Sequence, residues 1–213
     1  MKFKSLIVII WIIVLSACQT NDNKTVKPSL IKREIKPVID CNYTFDEAIA
    51  GTKAPLSVIN QLELINVTYL SMDGKIHQGQ ILTNKAIAGN LKEIFQYMMK
   101  QKFPVNQVIP IVKFNWDDEA SMRADNTYSF CYRDVSYSKH STGMAIDINP
   151  FQNPVRWNKE YSYRKNKPEG AGYRPEAAGT FYPGHPVVTK FKSLGFFWGR
   201  NFSRNDDDHH FEK

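Results

Sequence analysis

The chain is expected to fold as an α+β protein, a single compact domain with a central antiparallel sheet flanked by helices. One long amphipathic helix stands out from about Asn84 to Lys102. Around it lie short strand-like segments that do not alternate with helices in the βαβ manner of a parallel sheet. Thirteen Phe, ten Tyr and four Trp supply the apolar mass of a real core.

Taken from the N-terminus, Lys2 and Lys4 precede a nearly unbroken apolar run from Leu6 to Leu15. A basic start followed by a short apolar stretch is the pattern of a secretory signal. The run is shorter than the roughly 17–25 residues a spanning helix needs. Leu15-Ser16-Ala17-Cys18 resembles a bacterial lipobox, so Cys18 is the expected lipidation site. Residues 1–18 then form a lipoprotein signal and the membrane is a partner through the anchor. The expected location is an exported one, on the periplasmic face of the outer membrane. Residues 19–40 are polar, basic and almost free of aromatics, the composition of a flexible tether. The domain proper is expected over 41–213.

Within it, Leu62 to Leu70 and Gly79 to Leu82 read as short strands around a turn at Met72-Asp73-Gly74-Lys75. The helix follows, with Ile87, Leu91, Ile94, Phe95, Met98 and Met99 at three- and four-residue steps and Asn84 as N-cap. Val108 to Phe114, Thr127 to Val135 and Met144 to Asn149 read as extended. Pro183 to Leu194 contains a second helix, with Val187, Val188, Phe191 and Leu194 on one face. His209 to Glu212 closes the chain as a strand.

The formal charge is +7, from 28 Lys and Arg against 21 Asp and Glu. The basic residues are scattered and no nucleic-acid motif is present, so an anionic surface is expected and nucleic acid is not. A monomer is expected. With Cys18 assigned to lipid, Cys41 and Cys131 remain as a candidate disulfide or as two buried free thiols.

Chemistry concentrates in two segments. In an extended Ala145–Asn149, alternation puts Ala145, Asp147 and Asn149 on one face, with Ile146 and Ile148 on the other. A carboxylate on so apolar a strand needs a partner, because burying it alone is costly. Gly143 lets the chain turn so that His140 reaches the same point. The second segment is Asn205 to Lys213, where three acids precede His209 and His210. His140, Asp147 and one of those two histidines make three protein ligands with a fourth position open, the count of a catalytic zinc site. A neighbouring carboxylate would serve as general base.

Ser138-x-His140-x-x-Gly143-x-Ala145-x-Asp147 resembles the signature of the zinc D-Ala-D-Ala carboxypeptidase and L-Ala-D-Glu endopeptidase family, in the hedgehog/DD-peptidase superfamily. Asp207-x-x-His210-Phe211-Glu212 is similar to that family's closing motif. Gly195–Gly199 and Asp118–Met122 look like one branch of it. The resemblance implies Zn2+ held by His140, Asp147 and His210, with Asp207 as base. His209, which strand alternation sends to the opposite face, departs from the pattern. The family also implies an arginine that polarises the scissile carbonyl: Arg133, with Arg123 as the alternative. Ser138 is expected beside the metal site in a supporting role, and His77 and His185 are expected to be ordinary loop histidines. The implied substrate is the peptide of peptidoglycan, and both carboxypeptidase and endopeptidase action are open. The insertion from Asn153 to Gly184, with Arg164, Lys165, Lys167 and Arg174, could serve either. Two other readings compete: a zinc-stabilised wall-binding module without turnover, and a wall-anchoring lipoprotein with incidental His and Asp residues.

Overall fold

The structure, a computed structural model, describes residues 36–135 and 137–213. The signal segment, Cys18 and most of the tether lie outside the described residues. No helix among those described is long and apolar enough to cross a membrane.

The chain enters through β1 (Val38–Ile39), two short helices α1 (Phe45–Ala48) and α2 (Leu56–Ile59), then the hairpin β2 (Leu62–Leu70) and β3 (Ile76–Asn84). The hairpin is in register from Leu62 opposite Asn84 to Leu70 opposite Ile76, and β1 adds to β3 in parallel. Gly74, at φ +81°, closes the expected turn. The helix α3 (Lys85–Gln101) starts where the sequence indicates: the Asn84 side chain accepts from the Ala86 amide. This satisfies one of the helix's orphan donors. Its face of Ile87, Leu91, Ile94, Phe95 and Met98 is buried against Ile65, Val67 and Ile81 of the hairpin.

After α3 come β4 (Gln107–Val108), α4 (Asp118–Arg123), β5 (Asn126–Thr127), β6 (Ala145–Asp147), β7 (Val155–Trp157), α5 (Pro186–Ser193), β8 (Phe197–Trp198), β9 (Asn205–Asp207) and β10 (His210–Glu212). Two expectations change here. The strand expected over Val108 to Phe114 stops at Val108, and Ile111–Phe114 is a 3-10 turn entered from Pro110. Proline has no N–H to give a ladder. Thr127 to Val135 is strand only at its start. Beyond it the backbone is satisfied piecemeal, with the Phe130 amide bonding Leu82 O at 3.0 Å and that of Cys131 bonding His140 O at 3.1 Å.

Among the described residues the expected single central sheet gives way to four small ones, two of three strands and two of two. Local punctuation explains this. Gly143 precedes β6 at φ +69°, Asn149 follows it at φ +48° with Pro150 behind, and a two-residue turn separates β9 from β10. None of these strands can lengthen into one sheet. One continuous core nevertheless joins the parts: the hairpin and α3 share it with Ile146, Ile148, Phe191, Trp198 and Phe211.

The candidate disulfide is not formed. Cys41 and Cys131 are both free, near different carbonyls, those of Val108 and Trp116. Burial pushes each thiol up to about 11, so neither is a reactive thiolate at neutral pH.

Candidate metal centre and active site

Register builds the site. In the antiparallel sheet β6–β10–β8, His210 stands opposite Asp147, Phe211 opposite Ile146 and Glu212 opposite Ala145. Directly opposed residues share a face, so His210, Glu212 and Asp147 lie on one side while Ile146 and Phe211 fill the core on the other. On the free edge of β6, Tyr128 pairs with Asp147 through two backbone bonds. His140 arrives from a 3-10 turn, Lys139–Thr142, that ends at Gly143. A Cβ on Gly143 would come within 2.8 Å of the Asn84 amide, so only glycine lets this turn sit against the hairpin.

The three expected ligands converge and are all buried. His140 Nε2 lies 3.1 Å from Asp147 Oδ1 and 3.1 Å from His210 Nδ1, and His210 Nδ1 lies 3.0 Å from Asp147 Oδ1. The outward nitrogens are committed elsewhere. His140 Nδ1 donates to the Ser129 carbonyl at 2.6 Å, and His210 Nε2 donates to Glu212 Oε2 at 3.0 Å. Neutral rings so oriented, together with Asp147 Oδ1, turn three lone pairs toward one point, a donor set that calls for a cation. A tetrahedral ion bound at 2.0–2.1 Å would separate its ligands by about 3.3 Å, close to the triangle present. Without a cation the cluster must hold protons. The His140 and His209 charges outweigh burial and keep Asp147 well below the carboxylate range, while Asp147 and Glu212 outweigh burial and lift His210 to about 10.

Asp207 ends β9, one turn before His210, on the wall of the same cleft. Its Oδ1 is buried and has no hydrogen-bond partner, although His209 Nε2 stands at an ion-pair distance of 3.0 Å. Apart from that imidazole nothing is bonded to this oxygen, and a carboxylate on the cleft wall is equipped to accept a proton. The placing of His209 corrects the alternation argument. It sits in the turn, not in β10, and its ring is buried between the Asn153 carbonyl, 2.7 Å from Nδ1, and the carboxylates of Asp207 and Asp147. Burial lowers its pKa, and those carboxylates more than restore it.

Asp208 is no rival base. It is wholly buried, with Arg156 Nε at 2.7 Å and Arg200 at 3.0 Å, and Arg156 also reaches Asp206 at 2.7 Å. This brace ties the insertion strand β7 to the turn that carries Asp207 and His210. Arg133, not Arg123, reaches the cleft. Its guanidinium bonds Asp118 at 2.7 Å and the Tyr128 hydroxyl at 3.2 Å, and Ser141 bonds both its amide and its carbonyl. The Ser138 hydroxyl lies 3.5 Å from Arg133 and contacts that residue instead of the ligands. His77 is in β3 and His185 caps α5, so neither is a loop residue.

A D-alanyl-D-alanine carboxypeptidase family model matches residues 133–213. The match supports the family resemblance read from the motifs around His140 and His210. No curated protein and no solved structure matches the chain. The matched segment begins at Arg133 and contains every expected ligand together with Asp207. The residues that sequence reasoning missed fall on both sides of its boundary. Ser129 and Tyr128 precede it and Ser141 lies within it, as do His209 and Glu212, which the sequence named without the contacts they make. Glu212 was legible as the residue two beyond His210 on the same strand face. Ser129 was not, because it acts through a backbone carbonyl.

Proposed function

We propose that this protein is a zinc-dependent peptidase that hydrolyses peptide bonds in the stem peptides of peptidoglycan. The observation that carries the reading is the triangle of lone pairs from His140, Asp147 and His210, joined to the family match over residues 133–213. Zinc bound there would supply a Lewis acid for the peptide carbonyl and ease deprotonation of the attacking water. The chain's own residues do the rest. Asp207 Oδ1 takes the water's proton and returns it to the leaving amine. Arg133, aimed by Asp118 and Tyr128, donates to the carbonyl oxygen as negative charge develops there. Ser129 and Glu212 hold the two histidine tautomers, so both rings are ready ligands. The cleft of about 530 Å³ in front of these groups is large enough for several residues of a peptide. A binding module without turnover is less favoured, because it has no use for the Asp207 carboxylate on the wall of the same cleft as the three candidate ligands.

Purified muropeptides test the reading. Zinc-loaded protein should release fragments detectable by liquid chromatography and mass spectrometry, and a chelator should abolish the release. Bound zinc without any cleavage would support the binding module instead.

The anchor is part of the same proposal and rests on Leu15–Cys18. Cys18→Ser should lose a metabolically incorporated fatty-acid label, since the thioether needs that sulfur. Label retained in the variant would overturn the lipobox.

A further inference from the structure

His209 is buried beside the candidate centre, yet neither the ligand set nor the proposed proton transfer uses it. A buried imidazole needs a partner for each ring nitrogen. Here the two partners come from different parts of the chain. Nδ1 lies 2.7 Å from the Asn153 carbonyl, at the start of the insertion. Facing a carbonyl, that nitrogen must donate. Nε2 lies 3.0 Å from Asp207 Oδ1 and 3.7 Å from Asp147 Oδ2. One of these carboxylates is the candidate base and the other a candidate ligand.

The ring is anchored on a rigid frame. The Ile148 amide donates to the His209 carbonyl at 3.1 Å, which fixes the turn against the end of β6. Asn153 is wholly buried. Its side-chain amide donates to the carbonyls of Asn149 at 3.1 Å and Gly179 at 2.9 Å, and its Oδ1 accepts from the Phe181 amide at 2.7 Å. The carbonyl that holds Nδ1 is therefore itself held. Asp207 has no such anchor, since its Oδ1 meets nothing but this imidazole. Asp147 stands close enough to share the same ring nitrogen, and two carboxylates in one buried site repel each other. A donor between them offsets that repulsion. Without it, Asp207 is driven to turn away from Asp147 and out toward water.

We propose that His209 is a positioning residue for the general base: hung from the Asn153 carbonyl, its ring holds the Asp207 carboxylate beside Asp147 on the cleft wall. The inference rests on the peptidase reading and deepens it by adding a residue that acts through Asp207. No chemistry by the ring is needed. Misplacing a reacting group by about 1 Å can cost roughly 10²-fold in rate.

Asparagine and glutamine separate the two edges of the ring. The amide nitrogen of asparagine reaches about as far as Nδ1, and that of glutamine about as far as Nε2. His209→Gln therefore keeps a donor toward Asp207, and His209→Asn does not. On muropeptides, His209→Asn should lower kcat about 10–100-fold with KM within about twofold, while His209→Gln should stay within about fivefold of the native kcat. Zinc should remain near one per chain in both. Should His209→Asn not fold, His209→Leu, which fills the space without a donor, takes its place. A second measurement needs no turnover. In denaturant melts of the native protein, Asp207→Asn, His209→Asn and the double variant, the two substitutions should couple by at least about threefold in the unfolding equilibrium constant. Equal kcat in the glutamine and asparagine variants overturns the positioning role, as do additive effects in the melts. Zinc lost with His209→Asn overturns it too, by making the residue a ligand. Native zinc-loaded protein that cleaves no muropeptide gives a different result: it overturns the peptidase reading and the positioning role together, even where the melts couple.

Discussion

Two clusters in this chain are built from the same side chains and have opposite characters. At His77 the ring is held between Asp40, 2.7 Å from Nδ1, and Asp73, 3.3 Å from Nε2, and the Tyr69 hydroxyl donates to the other oxygen of Asp40. Every lone pair in that arrangement has a proton to meet. The ring carries two N–H donors, each faces a carboxylate, and the cluster closes on itself. At His140 the order is reversed. Each histidine gives its proton outward, to Ser129 or Glu212, and keeps its lone pair for a common point shared with Asp147. Composition does not distinguish the clusters. Convergence of acceptors does, and it depends on which way each ring is anchored.

The sharpest break between them is metal content. Alanine at His140 or His210 should reduce bound zinc from about one per chain to background, because two remaining ligands hold the ion poorly. His77→Ala should leave the zinc unchanged. Inductively coupled plasma mass spectrometry on dialysed protein decides it, and full zinc in the His210→Ala protein would mean that the ligand is misassigned.

Beside the candidate centre, Asp207 and Asp208 are adjacent in the chain and should separate cleanly. Asp207→Asn should keep zinc and fold while turnover of muropeptides falls by roughly 10²–10⁴, the range for losing a general acid–base group. Asp208→Asn should act on stability instead. It removes the anion that Arg156 and Arg200 share, and because both arginines are partly exposed the cost should be about 2–3 kcal/mol. Denaturant melts beside steady-state rates read both effects. If Asp208→Asn alone abolishes turnover at unchanged stability, the base is the wrong residue.

The smallest effect belongs to the closed cluster. Burial lowers the His77 pKa, but the bonds to Asp40 and Asp73 outweigh it and leave it above the ordinary value. A raised folded pKa contributes stability that is fully present below about 6.5, the value in the unfolded chain, and is lost as pH rises through the folded value. His77→Gln should therefore cost about 1 kcal/mol at pH 5.5 and less at pH 9. A cost that grows with pH would contradict the imidazolium arrangement.

Some of this was legible before any coordinates. The period of α3 and its Asn84 cap are local properties, set by side chains within one or two turns, and they were read to within a residue. The candidate ligands were legible because His140 and Asp147 share one loop-strand unit with a glycine between them, and because Asp207 and His210 resemble a family spacing. The sequence by itself therefore determined the long helix, the hairpin and the three candidate ligands that the fold brings together. Tertiary structure decided what depends on partners far along the chain. The strands became four small sheets because each is cut short by a turn whose reach only packing limits. His209 came beside Asp207 because a turn, not a strand, carries it. The tautomer of His140 hangs on the Ser129 carbonyl and the aim of Arg133 on Asp118, eleven and fifteen residues away. A backbone carbonyl has no residue type to recognise, and an ion pair across that distance leaves no spacing to read. Only the folded chain brings these groups within bonding range.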